Sequence, residues 1–285
     1  MNGIIIRSIG GLYFVESSEN IYECKARGIF RKDGISPSVG DSVEINDGVI
    51  EKIFPRKNYI IRPPLANLDQ LIFIVSVAEP APNLLLLDKF IAVAEYQEIE
   101  PVIVFTKTDL DDCRRYTAIY KKAGFKVYEV DYTRDDPAAE IRGLLKDKIS
   151  AFTGNSGAGK STLLNEVCGD FKITTGEVSR KLGRGRHTTR HSELYKLPFG
   201  GYIADTPGFS TFETNKYNII RKEELADCFR EFSKADECRF RDCSHTKEKG
   251  CGVLQAVEEG IIPETRHQSY CSMYEEAKKI KEWEL

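Results

Sequence analysis

Ser150-Ala151-Phe152-Thr153-Gly154-Asn155-Ser156-Gly157-Ala158-Gly159-Lys160-Ser161-Thr162-Leu163-Leu164 decides how the rest of the chain is read. Residues 154–161 match G-x-x-x-x-G-K-[ST]. The run Ser150–Thr153 reads as a strand and Ser161–Val167 as a helix, the context this motif requires. The glycines let backbone N–H groups turn inward on phosphate oxygens, and the helix N-terminus adds the positive end of its dipole. Lys160 can reach the β- and γ-phosphates, and the Ser161 hydroxyl can bind Mg²⁺. The phosphate-side set is Gly154, Asn155, Ser156, Gly157, Ala158, Gly159, Lys160, Ser161 and Thr162.

Upstream, strand and helix patterns alternate. Gln70–Val77 and Pro101–Phe105 are nearly continuous apolar runs, expected of parallel strands covered on both faces. Leu84–Tyr96, Asp111–Ala123 and Ile141–Leu145 read as helices, and Lys126–Val130 as a strand. This alternation predicts an α/β sheet. Residues 1–64 have a different texture. Ile4–Ile9, Leu12–Val15, Ile21–Ile29, the stretch around Val39, Val43 and Ile45, and Val49–Ile53 are short strands separated by Gly and Asp turns. They predict a small closed or half-closed barrel. Arg62-Pro63-Pro64 marks a boundary, and from about residue 215 the chain turns charged and helical. The expected division is 1–64, 65–214 and 215–285.

The length and composition agree with a folded chain of roughly two domains. Of 285 residues, 41% are hydrophobic and 30% charged, enough to bury a core. The net charge of −3 excludes nucleic-acid binding by bulk charge alone. No apolar run reaches the ~18 residues of a membrane span, so no membrane role is expected. Met1–Ile9 lacks the features of a secretory leader, which predicts a reducing cytoplasm. The eight cysteines are then thiols or metal ligands before they are disulfides.

Two further motifs join the phosphate loop. Asp205-Thr206-Pro207-Gly208 follows the apolar Tyr202-Ile203-Ala204 and matches the D-x-x-G element of GTPases. Asp205 would hold Mg²⁺ through water, and the Gly208 N–H would touch the γ-phosphate. Thr106-Lys107-Thr108-Asp109 ends an apolar strand and matches [NT]-K-x-D. There the Asp109 carboxylate accepts from guanine N1–H and the 2-amino group, and Lys107 lies along the base. Adenine would leave that carboxylate unpaired. Ordinary GTPases run from phosphate loop to D-x-x-G to base-reading element. Here the base-reading element comes first, so the chain is circularly permuted, and D-x-x-G leads straight toward the C-terminal region.

Between Phe171 and Leu197, seven basic residues face only Glu177 and Glu193. This segment occupies the place of switch I. Its arginines form either a solvated loop or a contact for nucleic-acid phosphates. Thr189, with Thr188 as the alternative, is the threonine that would close over Mg²⁺. Phe209 stands where a catalytic Gln follows D-x-x-G in Ras-like enzymes, and Phe cannot orient water. His187 is the candidate to position or deprotonate the attacking water; its bland reading is a surface histidine.

Cys24, Cys113, Cys168 and Cys228 stand alone, and Cys271 lies near the start of the last helix. The other three form Cys238-x₄-Cys243-x-His245-x₅-Cys251. Cys₃His suits tetrahedral Zn²⁺, and four protein ligands leave no open position, which argues for a structural clip. Tyr270, Met273, Tyr274, Ala277 and Ile280 fall on one face of a final helix.

The order of these motifs resembles the ribosome small subunit-dependent GTPase A family: a small barrel, T-K-T-D, G-N-S-G-A-G-K-S, G-R-G-R-H-T-T-R, D-T-P-G-F, then C-x₄-C-x-H-x₅-C. The resemblance spans essentially the whole chain. It implies an α/β protein with an N-terminal OB-fold barrel, a central circularly permuted P-loop GTPase domain and a C-terminal zinc-binding helical domain. It further implies GTP/GDP, Mg²⁺ and one Zn²⁺, and a cytoplasmic factor of late small-subunit maturation that binds rRNA and is stimulated by the subunit. His187 and Lys160, with Thr189, are then the catalytic set, and a monomer is expected. One departure stands out: where GTPases carry a Ser-Ala guanine loop, this chain has Val130-Asp131-Tyr132. Two other readings compete. One is a GTP-gated rRNA-binding factor with little catalysis of its own, favoured by Phe209. The other is a P-loop ATPase or small-substrate kinase, opposed by Asp109.

Overall fold

The computed structural model describes residues 1–32, 34–61, 64–168, 192–205 and 220–280, with the side chains of residues 31, 32 and 205 excluded. Among the described residues, no helix is long and apolar enough to cross a membrane.

The N-terminal strands close into the predicted barrel. They are β1 (Asn2–Ile9), β2 (Leu12–Ser17), β3 (Asn20–Ala26), β4 (Ser42–Asn46) and β5 (Val49–Ile53). Antiparallel pairs β1–β2, β2–β3 and β4–β5, the parallel pair β3–β5, and the closing pair β1–β4 complete the ring. Period two in the sequence becomes inside and outside: Val43 and Ile45 are buried, while Ser42, Glu44 and Asn46 are exposed. The third strand is shorter than its apolar pattern suggested. It ends at Ala26, and α1 (Gly28–Lys32) takes over the stretch read as strand.

A two-stranded hairpin, β6 (Tyr59–Ile60) and β7 (Leu65–Ala66), leads out of the barrel; Arg62 and Pro63 at the expected boundary lie outside the described residues. At this junction the fully buried Asp41 takes a two-point ion pair from Arg56 (2.7 and 2.8 Å) and the Ser38 N–H at 2.7 Å.

The central sheet is built from β8 (Gln70–Ser76), β9 (Glu100–Thr106), β10 (Lys126–Val130), β11 (Ile149–Gly154), β12 (Glu193–Lys196) and β13 (Tyr202–Asp205). Its order is β10-β9-β8-β11-β13-β12, parallel except for β12. Helices α2 (Leu84–Tyr96) and α3 (Arg114–Ala123) cover one face; α4 (Ala139–Leu145) and α5 (Lys160–Cys168) cover the other. Alternate residues of β8 serve each core: Leu71 and Phe73 face the first pair of helices, Ile72 and Ile74 the second. This double burial is why β8 and β9 read as unbroken apolar runs. Helix α3 starts at Arg114, three residues after the predicted start.

Strands run outward from β8 to β10, and the chain then returns to place β11 on the other side of β8. Helices after β8 and β11 therefore lie on opposite faces, which opens a crevice at the carboxyl ends of these strands. Gly154 and Asn155 line that crevice together with Ser76, Pro80 and Asn83. The barrel joins this sheet through Arg7 of β1 opposite Glu193 of β12.

Residues 220–280 wrap the outer side of α2. Two short 3₁₀ turns precede α6 (Gly252–Glu258) and α7 (Glu264–Ala277). Ala92 and Val93 of α2 join Phe229, Phe232, Val253 and Tyr270 in one core, so α2 is buried on two sides. Met273 and Tyr274 pack against it as the helical face predicted, whereas Ile280 lies past the helix end. At the seam, Arg266 is fully buried. It donates to Asp88 Oδ1 (2.7 Å) and Glu231 Oε1 (2.7 Å), and its guanidinium lies 4.6 Å from the Phe229 ring centre. Tyr120 also donates to Asp88, at 2.9 Å. Burial and that carboxylate push the phenol well up, so it stays a neutral donor.

Candidate nucleotide site and metal cluster

The phosphate loop lies at the carboxyl end of β11, between that strand and α5. Gly154 is required by a close approach: a Cβ there would collide with the Ile74 carbonyl oxygen of β8. Gly157 and Gly159 have φ of +80° and +91°, in the left-handed region that side chains disfavour. The Ala158 N–H closes on the Asn155 carbonyl at 3.1 Å, and Leu163 N–H on Gly159 at 2.9 Å, which begins α5. Asn155, Ser156 and Gly157 are exposed at the loop crest, while Ala158 is buried beneath it.

The base-reading tetrapeptide meets this loop although 44 residues of chain separate them. Thr106 ends β9, and its hydroxyl donates to the Ala158 carbonyl at 2.6 Å. Lys107 adopts φ +60° and donates its ammonium to the Glu79 carbonyl, beyond the end of β8. Thr108 N–H reaches the Val130 carbonyl at 3.4 Å, and Asp109 is exposed. The ends of β8, β9 and β10 are thus tied to one another, and β9 is tied to the phosphate loop. Asp205 ends β13, the strand beside β11. Thr206, Pro207, Gly208 and Phe209 lie outside the described residues, as do His187, Thr188, Thr189 and the arginines of the basic segment.

The cysteine cluster forms in space as the spacing predicted. Single ligand atoms from Cys238, Cys243, His245 and Cys251 lie within 4.8 Å of one another. Cys238 Sγ is 3.8 Å from Cys251 Sγ, and both sulfurs are 3.5 Å from His245 Nδ1. A tetrahedron with Zn–S of ~2.3 Å and Zn–N of ~2.0 Å has S···S and S···N edges of ~3.8 and ~3.5 Å. The donor set therefore fits one zinc ion. Burial opposes the Cys238 thiolate, but the N–H groups of Gly252 and Val253, together with the Cys251 and Cys243 thiols, hold that thiol below its usual range.

The supports of this cluster were not legible as motifs. His245 sits at φ +55°, and its carbonyl is 2.7 Å from His267 Nε2. Tyr270 donates to the Ser244 carbonyl at 2.9 Å. From the other side, the Glu248 carboxylate accepts the N–H groups of Ser244, Thr246 and Lys247, each at 3.1 Å. Although burial works against it, the Ser244 bond and these N–H groups bring that carboxyl down to about 2. A loop whose N–H groups and carbonyls are both held in this way presents its ligands in one geometry. Spacing of three places His267 and Tyr270 on one face of α7, a face expected from the sequence to pack on the metal module or the GTPase domain, but the individual partners are not encoded in that spacing. The solitary Cys24, Cys113, Cys168 and Cys228 are all buried thiols.

The family model described as RsgA GTPase matches residues 53–215, and that of the RsgA N-terminal domain matches residues 2–50. The chain belongs to the RsgA GTPase family. It is a GTPase, with the guanine nucleotide and Mg²⁺ that this family implies. Among its relatives is the small ribosomal subunit biogenesis GTPase RsgA of Caldanaerobacter subterraneus subsp. tengcongensis. That protein is 45% identical over 98% of this chain and 96% of its own length. The RsgA protein of Alkaliphilus metalliredigens is 42% identical over 99% of each. Two solved structures share the fold. YjeQ from Thermotoga maritima superposes with a TM-score of 0.85 at 36% identity, covering 98% of this chain and 99% of its own. YloQ, described as a circularly permuted GTPase, gives 0.80 at 34%, covering 98% and 96%. The permuted order read from the motifs is the order of this fold: the base-reading element at the end of β9 precedes the phosphate loop after β11.

Proposed function

We propose that this GTPase acts in the biogenesis of the small ribosomal subunit, binding the subunit's rRNA in the cytoplasm as a monomer and hydrolysing GTP faster when bound to it. The observation that carries the nucleotide reading is the bond from Thr106 to Ala158, which joins the base-reading element to the phosphate loop. Residues 154–162 then cradle the phosphates, with Lys160 on the β- and γ-oxygens. Thr106, Lys107, Thr108 and Asp109 read guanine. Ser161, Asp205 through water, and Thr189 would hold Mg²⁺, which supplies charge neutralisation at the phosphates. Gly208 N–H contacts the γ-phosphate, and His187 orients the attacking water. Cys238, Cys243, His245 and Cys251 hold a structural zinc. The barrel of 1–64, the basic segment within 65–214 and the zinc module of 215–285 supply the RNA-facing surfaces, through phosphates and shape.

The test is GTP hydrolysis with and without purified small subunits. A completed GTPase site gives a rise of about 10³–10⁵. An unchanged slow rate would favour the GTP-gated binding factor that Phe209 suggests. Asp109→Asn separately tests guanine reading. It is expected to weaken GTP binding about 100-fold or more through loss of a charged acceptor pair. Undiminished GTP preference would remove Asp109 from the site.

A further inference from the structure

From the last residue of β10 the chain reads Val130-Asp131-Tyr132-Thr133, in the position of the usual Ser-Ala element. The Asp131 carboxylate accepts from the Thr133 N–H at 2.9 Å and the Thr133 hydroxyl at 2.6 Å, closing an Asx turn. This turn sets the direction of Tyr132. Its half-buried ring packs on the core beneath α4 and α5, and its hydroxyl donates to the Gly159 carbonyl at 3.3 Å. The preceding carbonyl, Ala158, takes the Thr106 hydroxyl. A Cβ built on Gly159 would lie 3.3 Å from the Tyr132 oxygen and 3.4 Å from Thr106 Oγ1. Two hydroxyls from adjacent strand ends therefore grip two consecutive phosphate-loop carbonyls around a residue that must be glycine.

A trans peptide points its N–H opposite its carbonyl. Holding the Ala158 and Gly159 carbonyls toward the strand ends aims the Gly159 and Lys160 N–H groups the other way, out of the amino end of α5. The Gly159 oxygen already accepts the Leu163 N–H; its second lone pair takes the phenol. We propose that Tyr132 is a positioning residue for the bound nucleotide, bracing the Gly159–Lys160 peptide so that its N–H faces the phosphates. The inference rests on the guanine-nucleotide reading above. Burial, with Glu166 and Asp109 nearby, pushes the phenol up to about 12, so at neutral pH it carries the proton it donates. The same hydroxyl ties the loop after β10 to the phosphate loop.

The test is release of N-methylanthraniloyl-GDP from the full chain, chased with excess GDP, for wild type, Tyr132→Phe and Tyr132→Ala. Tyr132→Phe keeps the ring and removes only the hydroxyl. It is expected to release the nucleotide about fivefold faster, the factor that about 1 kcal/mol carries, with KM for GTP raised more than kcat is lowered. Tyr132→Ala is expected to be at least as fast. If Tyr132→Phe releases at the wild-type rate and only Tyr132→Ala is faster, the residue serves packing alone and the proposal is overturned. Failure of the wild type to bind the probe would instead overturn the nucleotide reading itself.

Discussion

Arg266→Leu is expected to lower stability by about 3–5 kcal/mol, because it strands two buried carboxylates without their shared cation. Arg266 and Glu231 are 0% exposed and Asp88 is 1% exposed, so water cannot replace the lost partner. Burial already pushes the Asp88 carboxyl up despite the pull of Arg266. These residues come from α2, the second 3₁₀ turn and α7, so the cluster holds residues 220–280 against the GTPase sheet. Arg230 reinforces the same seam through Glu95 (2.6 Å) and Glu100 (3.1 Å). Urea unfolding followed by circular dichroism measures the loss. Hydrogen exchange should show α2 and α7 losing protection together. Replacing Arg266, Asp88 and Glu231 together by Met, Leu and Leu should recover much of the stability, since no charge then remains buried. A single-variant loss below ~1 kcal/mol would mean that the cluster is hydrated and the seam is held by apolar contact alone.

Removing zinc is expected to unfold the loop from Cys238 to Cys251 and the start of α6 while leaving the central sheet folded. Structural Zn²⁺ contributes about 10–16 kcal/mol of apparent binding energy in small modules. Here the cluster also organises its surroundings: Gly252 N–H donates to Cys238 Sγ at 3.3 Å, and Cys251 Sγ caps α6 by accepting from Leu254 N–H at 3.5 Å. Gly252 sits so close to Asp236 that a Cβ would collide with its carbonyl oxygen. The loop therefore has one ligand-bearing arrangement rather than several. Treating protein purified without added metal with a chelator should release close to one zinc per chain, and exchange protection at Leu254 and Ala256 should fall. Cys251→Ser should reproduce the loss. Far less than one zinc per chain, with protection unchanged, would reduce the cluster to four neighbouring side chains.

Local chemistry decided much of this protein. The phosphate loop could be read because glycines with positive φ and a Lys-Ser pair are demanded by a short backbone turn, and a short stretch contains its own reasons. The barrel strands, the buried parallel strands and the Cys₃His spacing were readable on the same basis: period two, double burial and ligand chemistry are properties of neighbouring residues. Boundaries slipped where a local competitor won. The strand read over Ile21–Ile29 stops at Ala26, and a helical turn begins at Gly28.

What the tertiary structure alone decided are contacts between residues far apart in the chain. Thr106 meets Ala158, and Tyr132 meets Gly159, because β9 and β10 lie in one parallel sheet with β11. Arg266 meets Asp88 across 178 positions. In the sequence, Arg266 is one basic residue among 41 Lys and Arg, and Tyr132 one of 13 tyrosines. A surface arginine and a buried one have the same letter. Only the fold removes the water around them, and the desolvation makes their few partners matter.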